Sequence, residues 1–116
     1  MELIRESELR LLLLEGKIEE FNSRVAEEPA DLANTDLRAV DLQGANLLHA
    51  NLRGAYLRNA DLRAVDLFHA DLEGASIHHA RIAGTRFPPN LRAEEIRLSV
   101  DLGTRLRIAR GSGPSS

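Results

Sequence analysis

The chain has 116 residues, enough for one modest hydrophobic core, so its function sits on a single small body. Lys plus Arg number 15 against 18 Asp plus Glu, a net of −3, which gives no general electrostatic footprint for nucleic acid or for an acidic membrane surface. With no Cys, disulfides, thiolate metal sites and a Cys nucleophile are excluded, and the longest apolar run, Leu11 to Leu14, is too short to span a bilayer or to form the core of a signal peptide. The expectation is a cytoplasmic, bacterial-type protein with no nucleic-acid or membrane partner.

Residues 1–29 read as a helical N-terminal cap in two pieces broken near Gly16. The first runs roughly from Ser7, a candidate N-cap, to Glu15, and the second from Lys17 to Glu27, ending before Pro29. Ile18, Phe21 and Val25 share one face of the second piece and form a stripe suited to lie on whatever follows.

From residue 30 the chain cuts into fives without an insertion: ADLAN, TDLRA, VDLQG, ANLLH, ANLRG, AYLRN, ADLRA, VDLFH, ADLEG, ASIHH, ARIAG, TRFPP. The third position is Leu32, Leu37, Leu42, Leu47, Leu52, Leu57, Leu62, Leu67 and Leu72, then Ile77, Ile82 and Phe87, and the first is always Ala, Thr or Val. A period of five fits neither a helix nor a plain strand. It fits a chain that makes one short extended side per unit and then turns a corner, with first and third residues inward by strand alternation. Small first residues then reflect a narrow interior. Gly44, Gly54, Gly74, Gly84, Asn34 and Asn59 at the fifth position are residues that accept a positive φ in a type II turn.

The tandem A(D/N)LxX pattern resembles the pentapeptide-repeat family over residues 30–89. That resemblance implies an all-β solenoid, a right-handed quadrilateral β-helix in which four units make a square coil. Twelve units would give about three coils, and residues twenty apart would stack at about 4.8 Å per coil.

After Pro88 and Pro89 the pattern stops, and residues 90–110 read as a capping or oligomerisation segment. Two forms stand: a strand through Ile96, Leu98, Val100 and Leu102 with a turn at Gly103-Thr104, or a helix from about Leu91 to Leu102 with Asn90 as N-cap and Gly103 at its end. Residues 111–116, GSGPSS, read as a flexible tail.

Stacking by twenty sorts the outward positions into four columns. Three carry mixed polar residues and read as solvated surface, among them the second, with Arg38, Arg58, His78, Asp36, Tyr56 and Ser76. The fourth column is Leu48, Phe68 and Pro88, which marks a contact for a flanking segment or for a partner. His49, His69 and His79 sit at corner positions, where His is among the non-Gly residues that tolerate positive φ. His49 and His69 should stack, but with no third ligand beside them no metal site is expected.

No nucleophile, base and orienting group converge, so no catalytic residue and no cofactor are expected. The leading reading is a non-enzymatic protein–protein interaction or scaffolding module, contacting a protein of unknown identity through Leu48, Phe68, Pro88, His49 and His69. The family resemblance brings a second, a DNA-mimic modulator of type II topoisomerase (gyrase). Against it, residues 30–89 hold seven acids and six bases, 7 − 6 giving one net negative charge, a poor copy of duplex DNA. A third is self-assembly into a homo-oligomer through the C-terminal segment or the coil ends, favoured by flanks of net −4 and +2.

Overall fold

The computed structural model describes residues 2–109, with side chains from residue 8 onward. The GSGPSS tail read as flexible lies outside the described residues.

Second-position residues pair in parallel across coils at intervals of twenty: Asp31 with Asn51 and Asn51 with Asp71, Asp36 with Tyr56 and Tyr56 with Ser76, Asp41 with Asp61 and Asp61 with Arg81, and Asp66 with Arg86. The ladder alternates two bonds. The N–H of Leu52 donates to Asp71 O one coil ahead, and the N–H of Asn51 donates to Ala30 O one coil behind, each 2.8 Å. Each side contributes at most one bridged residue per coil, so among the described residues the extended segments stay single bridges and no long strands form. Every side then ends in a turn, with the first residue of the next pentad donating back to the preceding Leu, as Ala55 N–H does to Leu52 O at 3.0 Å.

The interior follows the pentads. Leu32 to Leu72 and Ile77 are at most 1% exposed, and Ala55, Ala60 and Ala75 are fully buried beside them. Full burial of a Leu contributes about 2 kcal/mol by transfer from water. The ladder loosens at its end, because Ile82 and Phe87 are only half-buried where no fourth coil covers them.

Second-position Asp and Asn have a local task that accounts for their recurrence. Asp31, Asp36, Asp41, Asn46, Asn51, Asp61, Asp66 and Asp71 each accept the N–H of the residue two ahead, at 3.0–3.3 Å. These short Asx bonds satisfy a turn donor that the ladder leaves free.

At the N-terminal end lie α1 (Glu2–Leu14) and α2 (Ile18–Val25). The helix starts earlier than the sequence suggested, and Ser7 lies inside α1, so it is no N-cap. α2 begins at Ile18 and stops at Val25, two residues before the expected Glu27. Leu9, Leu12, Leu13, Phe21 and Val25 join the core, with Ile18 packed at its edge. Two polar side chains meet the exposed edge of the first coil. Arg10 Nε donates to Asp36 O at 2.8 Å, and the Asn22 carboxamide both donates to Gly44 O at 3.0 Å and accepts Asn46 N–H at 2.7 Å.

At the other end α3 (Ala93–Leu102) takes the helical of the two forms. Its N-cap is Arg92 in an extended conformation with no capping side chain, not Asn90, and Gly103 ends it with φ +80 instead of opening a hairpin. A Cβ on Gly103 would stand 3.0 Å from His78 Nδ1, so the site demands Gly both for its backbone and for its closeness to the third coil. α3 covers the second side of that coil. The buried Ser99 hydroxyl accepts Ile77 N–H at 3.0 Å, and Val100 O, a helix-end carbonyl, accepts His79 N–H at 2.9 Å. The chain after Gly103 covers the first side, where Gly74 N–H donates to Leu106 O at 2.7 Å and Leu106 N–H to Ala75 O at 2.8 Å. The flanks thus occupy two sides of the last coil and two points on the edge of the first, while the third and fourth sides of the last coil stay uncovered among the described residues.

Candidate interaction surface

The fourth side departs from the other three in its corners, its ladder and its outward residues. On sides one to three the corner residue has a positive φ at Asn34, Gly54, Gly74, Ala39, Asn59, His79, Gly44, Ala64 and Gly84. His49 and His69 do not, so the expectation that they turn corners through the left-handed region is corrected; only His79, at φ +58, does so. The ladder also breaks here, since no bridge joins Asn46 to Asp66 among the described residues. Asn46 is held instead toward the N-terminal cap by Asn22.

Between its second and third coils the ladder persists, with Leu67 N–H donating to Arg86 O at 2.7 Å, and side-chain contacts add to it. The His49 and His69 rings are exposed and stack flat, with centroids 5.1 Å apart and planes 2° from parallel. His69 meets the edge of Phe68 at 5.0 Å, and the Arg86 guanidinium lies 4.0 Å from the centre of the Phe68 ring. Arg86 is itself anchored by Asp66 at 3.2 Å. Leu48 and Phe68 are half-buried, and Pro88 at the top of the column is buried. The outward apolar column therefore narrows to Leu48 and Phe68, with part of the Phe68 ring shielded by its own side. Beside His49, the segment from Val25 to Ala30 forms a small cleft with Asn46 and Ala50.

The remaining sides are built from carboxylate clamps on arginines. Asp36 grips Arg38 with two bonds of 2.8 Å, and Asp61 grips Arg63 at 2.9 and 2.6 Å. The Arg38 side chain, and then its backbone N–H, hold the Asp36 carboxyl down to about 2. The Arg63 side chain does the same for Asp61, also to about 2. Arg53 reaches across a coil to Asp71 at 2.9 Å.

On the second side the pattern changes above Asp36, where Tyr56 and Ser76 stand in place of acids, and Arg105 from the C-terminal segment lies 5.4 Å from the Tyr56 ring centre. Sequence periodicity could not place Arg105, which lies outside the repeats.

Among the described residues no group of three or more His, Cys, Asp or Glu side chains comes together. No helix among them is long and apolar enough to cross a membrane.

Among known proteins, a crystal structure of a pentapeptide repeat protein, Rfr23, from the cyanobacterium Cyanothece 51142 is similar to this chain, 34% identical with a TM-score of 0.26. The likeness covers 50% of this chain and 44% of that one, so the match spans less than half the relative's length. No curated protein matches the chain. The family model of pentapeptide repeats, eight copies long, matches residues 30–67 and again 50–87, together half of the chain. On that match, and on the interval of twenty that runs through its ladder, the chain belongs to the pentapeptide-repeat family.

Proposed function

We propose that this protein is a non-enzymatic protein-binding module, a short right-handed quadrilateral β-helix that presents its fourth side to a protein partner. The family it belongs to is generally non-enzymatic. The observation that carries the reading is the outward pair Leu48 and Phe68, one coil apart and only half-buried, on a side where apolar and ring surface stands beside the single Asp66–Arg86 pair. A partial apolar patch rimmed by polar groups suits a contact that forms and dissolves. His49 and His69, exposed and stacked, extend the surface, and the buried Pro88 closes the column above Phe68; a cytoplasmic setting suits a chain with no Cys.

A test substitutes Leu48→Glu and Phe68→Glu together and compares solution mass and partner capture with the parent. Loss of a specifically captured protein, with the fold retained by circular dichroism, is the expected result. Unchanged capture by a folded variant removes this side as the contact.

Self-association has its own support at the other end. Leu98 and Leu102, one helical turn apart on α3, are 42% and 68% exposed. If they join two copies, Leu98→Glu with Leu102→Glu lowers the solution mass to that of a monomer, and the fourth-side variant does not. The DNA-mimic reading gains nothing comparable, because the repeat carries only one net charge.

A further inference from the structure

The second pentad position, where Asp36, Asp61, Asp66 and Asp71 supply both the turn bond and a carboxylate for an arginine, is filled on the second side above Asp36 by Tyr56 and then Ser76. The consequence falls on Arg58. Arg38, Arg53, Arg63 and Arg86 each have a carboxylate within 4 Å, whereas among the described residues Arg58 has no ion-pair or side-chain hydrogen-bond partner. It is exposed, between the Arg38 and His78 levels of the same column.

A second arginine is delivered to the same place from outside the repeats. The left-handed Gly103 ends α3 against His78, and two residues later Arg105 donates through Nη1 to Gly74 O at 2.8 Å while its guanidinium lies 5.4 Å from the Tyr56 ring centre. One bond thus fixes Arg105 to the solenoid and leaves its other donors free. Arg38, Tyr56, Arg58, Ser76, His78, Gly103 and Arg105 line a single groove of about 270 Å³, and none of these residues is acidic. The hydroxyls of Tyr56 and Ser76 make no hydrogen bond among the described residues, so they too are open to a ligand. Arg38 contributes less, being already held by Asp36 with two bonds of 2.8 Å.

A set of guanidinium and hydroxyl donors with no carboxylate among them is complementary to a compact, multiply charged oxyanion. Such a site is smaller than the roughly 300–1,000 Å³ pocket of a drug-sized ligand. We infer that the groove on the second side is a phosphate-binding site, taking free phosphate or the phosphate monoester of a small molecule, with Arg58 and Arg105 as its principal ligands and Tyr56 and Ser76 as accessory donors. At neutral pH such a group carries about −1.5 to −2 charges and three acceptor oxygens, enough to engage both guanidinium groups and a hydroxyl together. The inference is independent of any contact made by the fourth side.

The test titrates the isotope-labelled full chain at constant ionic strength with inorganic phosphate, with glycerol 3-phosphate and with acetate, following the His78 and Tyr56 ring resonances by NMR. Saturable shifts with phosphate or glycerol 3-phosphate, and none with acetate, are expected, and the tighter of the two phosphates identifies the form recognised. Arg58→Ala with Arg105→Ala should weaken binding by about tenfold or more, as loss of charge-assisted bonds requires. Arg81→Ala, on the third side, should leave it unchanged. Because Arg58 and Arg105 are both exposed, the double variant should fold, and Arg58→Ala alone provides a second variant. Absence of saturation, equal shifts with acetate, or undiminished binding in folded Arg58 variants overturns the inference.

Discussion

On the first three sides the chain turns through a left-handed corner residue and the coils are joined by regular parallel bridges, whereas on the fourth the corner histidines stay out of the left-handed region and the first two coils lack their bridge. Yet the interior does not register the difference: Leu47 and Leu67 of the fourth side are as buried as Leu37 and Leu57 of the second. The pentad therefore specifies two separable things. Its first and third residues build the core by alternation and volume, and its fifth selects the turn. A side can exchange one turn for another, and part of its backbone ladder for ring stacking and a guanidinium on Phe68, without disturbing the core.

The largest expected effect tests whether the interior is indeed indifferent to the side. Leu57→Ala and Leu67→Ala each remove a fully buried side chain from the middle coil and should cost about 2–5 kcal/mol by urea unfolding. The two values should fall within that same range, since both side chains are fully buried. A much smaller cost at Leu67 would mean that the looser outer surface of the fourth side extends into the core.

A smaller effect of opposite sign at the same pentad position would sharpen the comparison. Ala64 sits at φ +62, where a Cβ is strained by about 1–2 kcal/mol, while glycine raises the unfolded chain's entropy by about 0.4–1 kcal/mol. Ala64→Gly should therefore stabilise the protein by about 0.5 kcal/mol, net of those two terms. His69→Gly relieves no such strain and removes a stacked ring, so it should destabilise by about 1 kcal/mol. Urea midpoints that move in the same direction for both would show that the corner conformation does not separate the sides.

The residues that were legible in the sequence are those whose environment repeats. Leu32 through Ile77 recur at the third place of every pentad, which marked them as interior by strand alternation, and the stripe of Phe21 and Val25 pointed to a helix with one buried face. The residues that were not legible depend on contacts distant in sequence. His49 and His79 occupy the same pentad position, and nothing local separates a histidine that adopts φ +58 from one that does not. Ser99, buried to accept Ile77 N–H, is invisible to periodicity because its partner is 22 residues away. Arg105 is placed over Tyr56 by the end of α3 and by Gly74 O, neither of which leaves a mark in the repeat. Terminal Ile82 and Phe87 obey the pattern but lack a covering coil, so the pattern overstates their burial.

The smallest effect separates the clamped sides from the fourth by acid. Asp36 and Asp61 are held to about 2 in the folded chain by Arg38 and Arg63, the neighbours two residues on within the same pentad. On the fourth side Asp66 instead faces Arg86 one coil away at 3.2 Å. A folded carboxyl lowered beneath its unfolded value, near 4, contributes stability that is complete above about pH 4 and is lost as the pH falls toward 2. The Asp36–Arg38 clamp is open to solvent and Arg63 is half-exposed over a more shielded Asp61, so screening keeps the contribution modest. Comparing urea midpoints at pH 5 and pH 2.5, the parent should lose more than the Asp36→Asn, Asp61→Asn double variant, because the variant has no ionised clamp to protonate. High salt should shrink the gap, since the clamps lie at the surface. Equal losses in parent and variant would mean that the clamps only orient their arginines, and that the Asx bonds to the turn N–H groups, which asparagine retains, are what selects an acid or amide at this position.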